Sequence, residues 1–96
     1  MHDNADRTRL INRLRRVSGQ VDAIARMVDR GDACADVMVQ IRAANGALQK
    51  VAQLMLVDHA KETLHNMGEQ AEASESEKKR QLEELIVLFE RYGQGG

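Results

Sequence analysis

Ninety-six residues make one small domain with a limited core, and a net charge of −1 gives no overall bias toward nucleic acid. The chain has no proline or tryptophan, one cysteine, and only Phe89 and Tyr92 as aromatics. These features exclude an intrachain disulfide and favour an all-α fold. No apolar run is long enough to span a bilayer, and Met1-His2-Asp3-Asn4 lacks the apolar stretch of a signal peptide. A reducing cytoplasm is the expected location.

The first helix is expected over about 4–29. Its apolar stripe is Leu10, Leu14, Val17, Val21, Ile24 and Val28, with Asp3, Asn4 or Asp6 available to cap its start. Arg30-Gly31-Asp32 ends it: Gly31 suits the left-handed C-terminal conformation, and Asp32 is placed to cap the next helix. That second helix is expected over about 33–67, up to Gly68. It carries Val37, Ile41, Ala44, Leu48, Val51 and Met55 at alternating steps of three and four, the spacing of a helix–helix seam. A polar linker follows. Ser74 and Glu77 have capping-box spacing, and a third helix is expected over about 75–91 with Leu82, Leu85, Ile86 and Phe89 on one face. Residues 93–96 read as a flexible tail within a single 1–96 domain.

Cys34 extends the second-helix series by one step at its start, and His59 by one step at its end. A thiol and an imidazole are soft and borderline ligands, and both react with electrophiles. On one straight helix they stand about 37 Å apart at 1.5 Å per residue. They share a site only if a second copy runs antiparallel beside the first. The midpoint of that pairing falls between Gly46 and Ala47, beside Ala43 and Ala44, where small side chains allow close approach. Unpaired N–H groups and the helix dipole favour an anion at Cys34, a setting for a metal-binding or nucleophilic thiolate. The alternative is a small buried hydrophobe.

Asp58, Glu62 and Thr63 flank His59, with Glu62 and Thr63 on its side of the helix. Asp58 or Glu62 could orient the ring from outside the ligand set. His65 points to a different face, and His2 lies on a chain end that could fold over a nearby site. So few ligands do not make a closed structural zinc site, and an open or reactive site fits better. No zinc-protease HExxH, Gly-rich phosphate loop or serine–histidine–acid pattern is present, so enzymatic activity is not expected.

Charge is unevenly placed. Residues 1–57 hold nine Lys/Arg and six Asp/Glu, net +3, and residues 58–96 hold five and nine, net −4. Arg9, Arg13 and Arg16 line one side of the first helix, continued by Gln20, and Arg42 and Lys50 extend the patch from the second. Arginines in this pattern suit phosphate contact. Repeated by twofold symmetry, they match a near-palindromic duplex. The alternative is a solvated arginine face.

The segment Arg13-Leu14-Arg15-Arg16-Val17-Ser18-Gly19-Gln20-Val21-Asp22-Ala23-Ile24, the turn Gly31-Asp32-Ala33-Cys34, and Val57-Asp58-His59-Ala60-Lys61-Glu62-Thr63-Leu64 resemble the CsoR/RcnR family of bacterial transcriptional repressors. The resemblance covers nearly the whole chain. It implies a three-helix protomer, an antiparallel four-helix-bundle dimer, and dimers pairing into a tetramer on double-stranded operator DNA. It implies an effector site between protomers, built from Cys34 of one and His59 of the other, with Thr63 at a fourth position and His2 near the N-terminus. Copper(I) sensors carry a second cysteine where Thr63 stands, so copper is disfavoured. Nickel/cobalt sensors carry histidine there, and persulfide sensors need two cysteines. The pattern is similar to the formaldehyde-responsive, FrmR-like branch. Some such sensors join an N-terminal proline amine to the cysteine through a methylene bridge. Here the second residue is His2, so the amine would be that of Met1. Alternatively, His2, Cys34, His59 and Glu62 would hold nickel, cobalt or zinc. No obligatory cofactor is implied.

Overall fold

A computed structural model of the chain describes residues 4–69 and 74–93. They form three α-helices: α1 Asn4–Asp29, α2 Cys34–Glu69 and α3 Glu75–Tyr92. Helices α1 and α2 form an antiparallel hairpin, and α3 folds back along the C-terminal half of α2. The molecule measures 61 × 27 × 13 Å. Its smallest dimension is close to the 10–12 Å diameter of one helix, so the three helices form a single layer.

The α1–α2 turn follows from Gly31. Its φ of 76° is the only positive value among the described residues. The Gly31 N–H donates to the Val28 carbonyl at 3.1 Å, and the Asp32 N–H to the Met27 carbonyl at 3.0 Å. These two bonds are the Schellman motif, which satisfies carbonyls at the end of α1. Asp32 does not cap α2 as expected. Both its carboxylate oxygens accept from the Arg30 guanidinium, at 2.9 and 2.7 Å, and the charge-assisted pair outcompetes the cap. That pairing raises the Arg30 pKa, first through the hydrogen bond and then through the charge of Asp32. The first carbonyl of α2 is that of Ala33, which accepts from Val37. A Cβ at Gly31 would meet nothing within 4 Å, so Gly31→Ala tests backbone conformation alone. The expected cost is about 1–2 kcal/mol, read as a lower midpoint in urea or thermal unfolding.

Ser74 caps α3, its Oγ accepting from the Glu77 N–H at 3.1 Å. At the start of α1, Asp6 pairs with Arg9, and Thr8 Oγ1 bonds back to the Asn4 carbonyl at 2.8 Å.

The apolar stripes divide in a way their spacing did not show. Leu10 and Val17 of α1 and Val37, Ala44 and Val51 of α2 are buried, and the two helices pack along each other. Leu14, Val21 and Val28, which share the expected α1 stripe, lie outside and remain exposed, Val28 by 63%. On α2 the inner series is Val37, Ala44 and Val51. An outer series runs Met38, Ile41, Asn45, Leu48, Ala52 and Met55, flanked by Cys34 and His59. Each of its members is exposed or half-buried. On α3, Leu82, Leu85, Ile86 and Phe89 share one face; Leu85 and the adjacent Leu88 are half-buried, while Leu82, Phe89 and Ile86 are exposed, Ile86 most.

Candidate functional site

Cys34 is the first residue of α2, and its thiol is exposed. His59 is also exposed, near the far end of the same helix. Because α2 is continuous from Cys34 to Glu69, the spacing of about 37 Å stands, and one protomer does not bring the two together. Among the described residues, no three His, Cys, Asp or Glu side chains are close enough to hold a metal ion.

His59 borders two open grooves between α2 and α3. One, of about 410 Å³, is apolar and lined by Ala52, Met55, Leu56, Leu88 and Tyr92. The other, of about 220 Å³, is polar and lined by Thr63, Asn66, Gln81 and Glu84. Gln81 and Glu84 were not expected from the sequence. They share a groove with His59 because α3 packs on this part of α2, and local spacing carries no signal for that. Thr63 and Glu62 are half-buried on the His59 side of the helix. His65 points outward and pairs with Glu69 at 3.1 Å. Met1 and His2 lie outside the described residues.

The basic residues are not equivalent. Arg16 is exposed, and Arg9 is exposed but engaged by Asp6. Arg13 and Gln20 are half-buried and fall in register with Leu10 and Val17, at the edge of the α1–α2 seam rather than beside it. Counting from the turn, Arg13 lies as far before Asp29 as Lys50 lies after Cys34, so the hairpin sets Arg13 and Lys50 at the same height. Lys50 and Arg42 are exposed and border one open groove with Asn45, Gly46 and Gln49. A Cβ at Gly46 would meet nothing within 4 Å, so nothing within one protomer requires glycine there.

This arrangement can be compared with known proteins. The family model for metal-sensitive transcriptional repressors matches residues 6–91. The chain belongs to that family, the CsoR/RcnR repressors. It is 32% identical over 87 residues to the copper-sensing transcriptional repressor CsoR of Bacillus subtilis, covering 91% of this chain and 81% of that one. Among solved structures, the nickel-responsive transcriptional regulator InrS superposes with a TM-score of 0.72 at 32% identity, covering 88% of this chain and 90% of that one. A variant of the formaldehyde-responsive regulator FrmR of Salmonella enterica serovar Typhimurium superposes with a TM-score of 0.76 at 28% identity, covering 96% and 99%. The protein is therefore a transcriptional repressor of a family whose members respond to metals or small molecules, and not an enzyme. No helix among the described residues is long and apolar enough to cross a membrane.

Proposed function

We propose that this protein is a cytoplasmic operator-binding repressor that works as a dimer of dimers and releases DNA when formaldehyde, or a related electrophile, reacts at Cys34. The observation that carries the reading is the exposure of Cys34 and His59 on one outer face of α2, at opposite ends of an unpartnered apolar series.

Surface area supports a second copy on that face. The chain exposes 7234 Å², whereas a folded monomer of 10.7 kDa is expected to expose about 5,500 Å². The excess of about 1,700 Å² per chain is the share that each partner contributes to a large obligate interface. Laid antiparallel on its partner, the outer face of α2 sets Cys34 against the partner's His59. The exposed α1 residues Leu14, Val21 and Val28 join that interface, and the exposed α3 residues remain for pairing of dimers.

Formaldehyde chemistry needs little from such a site. The thiol of Cys34 adds to the carbonyl carbon and gives a hemithioacetal. A primary amine then condenses with it, expelling water and leaving a methylene bridge, a net gain of one carbon. The Met1 amine is the proposed partner. In this reading the partner's His59 accepts the thiol proton, and Glu84, which lines a groove with His59, orients the ring.

The same pair supports a second reading, favoured by the family's response to metals and by the similarity to InrS. A thiolate and an imidazole from two chains suit nickel, cobalt or zinc, with His2, Glu62 or water completing the set. Copper(I) is disfavoured because Thr63 offers no second thiolate.

Operator release measured in parallel with formaldehyde, nickel, cobalt, zinc and copper(I) separates these readings. Formaldehyde is expected to release DNA, and mass spectrometry is expected to show a one-carbon bridge from Cys34 to an N-terminal amine. Release by a divalent metal alone, with no bridge, assigns the site to metal.

A further inference from the structure

The outer series of α2 maps onto itself when the helix is reversed about the midpoint between Gly46 and Ala47. Cys34 then faces His59, Met38 faces Met55, Ile41 faces Ala52, and Asn45 faces Leu48. Such self-complementarity is what a twofold interface requires. It does not by itself fix the register, because a series that repeats every seven residues maps onto itself again after a slip of one heptad. A slip that carries Cys34 to the partner's Asn66 also lengthens the helix overlap by seven residues, since α2 runs on to Glu69. That longer pairing keeps Leu48 on the partner's Ala52 but sets Ile41 against the partner's His59 and Met38 against the partner's Glu62, and it separates Cys34 from His59.

We infer that Asn45 reinforces the register in which Cys34 meets His59 of the partner; the inference rests on the shared-site reading above. Asn45 is the one uncharged polar side chain between Cys34 and His59 in this series. It borders the same open groove as Met38 and Ile41 and, on its other side, the same groove as Gly46 and Leu48. In the proposed register the two copies of Asn45 stand about 4.5 Å apart along the axis, at 1.5 Å per residue. Two amides on neighbouring helices bond to each other across that offset. In the slipped register they stand about 15 Å apart, each facing the partner's Met55 with no amide to meet. A buried amide without a partner costs about 1–3 kcal/mol, and two copies double the penalty. A single polar residue in an apolar seam sets register by this mechanism.

Cross-linking of the full chain tests the inference. His59→Cys places a thiol opposite Cys34 in the proposed register, and Asn66→Cys places one there in the slipped register. With Asn45 present, a short bis-maleimide is expected to join protomers of the His59→Cys chain and leave the Asn66→Cys chain largely unlinked. Asn45→Leu is expected to move the ratio of the two yields toward position 66 by about 30-fold, the lower end of the doubled amide penalty. Asn45→Gln, which keeps an amide, is expected to retain the link at position 59. Asn45→Ala gives the same readout should the leucine chain not fold. An unchanged ratio in a folded Asn45→Leu or Asn45→Ala chain overturns the register role. Absence of any link at position 59 in the Asn45 chain overturns the shared site itself.

Discussion

Replacing Cys34 with serine is expected to leave operator affinity within about twofold of the parent and to abolish release by the inducer. The two effects separate because Cys34 is exposed at the first residue of α2, outside the buried set that holds the hairpin together. Serine is close in size and keeps the helix start. What it loses is the soft, nucleophilic sulfur. In the parent, an effector that distinguishes DNA-binding from released states by about 1–3 kcal/mol weakens operator binding by about 5–150-fold. Fluorescence anisotropy of a labelled operator, with and without inducer, measures that ratio directly. For Cys34→Ser the ratio is expected to fall to about one. A serine variant that still releases DNA on inducer addition would remove Cys34 from the sensing role. His59→Ala is the companion case: its side chain is also exposed, and folding does not depend on it.

The sequence made some of this legible and hid the rest for definite reasons. Gly31 was readable because a single residue type solves the conformational problem at the end of α1. Ser74 was readable because the capping bond is local. The division of each apolar stripe was not. A helix whose apolar arc is wide enough for two neighbours shows one continuous periodicity, and the choice of which edge meets which neighbour is made by tertiary packing. Leu10 and Leu14 are therefore members of one stripe in the sequence, and only Leu10 is buried. Asp32 was misread as a cap because its sequence position suits one equally well. Arg30, two residues away, offers two charge-assisted bonds where a cap offers one neutral donor. Spacing alone singled out Cys34 and His59 as candidates, whereas the groove that Gln81 and Glu84 share with His59 follows from the α2–α3 packing. The same packing argument changes the weight of the arginines, which spacing alone had set side by side.

Arg13→Met is expected to weaken operator binding by at least about 100-fold, and Arg9→Met far less. Both side chains lie on the basic side of α1, so sequence spacing does not rank them. Burial and pairing do. Arg13 is half-buried at the edge of the α1–α2 seam, level with Lys50, so its stem is held and its guanidinium loses little freedom on meeting a phosphate. Arg9 is exposed and already engaged by Asp6, which a phosphate must displace. Methionine is the better test at position 13 because it keeps the unbranched stem in the seam and removes only the charge; alanine would remove the packing as well. A charge-assisted bond contributes about 1.5–3 kcal/mol, and a twofold-symmetric complex loses at least two of them, which sets the 100-fold lower bound. The salt dependence supplies an independent readout. Each lost phosphate contact reduces the slope of log K against log salt by about 0.9, so Arg13→Met is expected to flatten it by about 2 or more. A helical, correctly assembled Arg13→Met chain with unchanged affinity and slope would take Arg13 out of the DNA interface and move the contact to Arg16, Arg42 and Lys50.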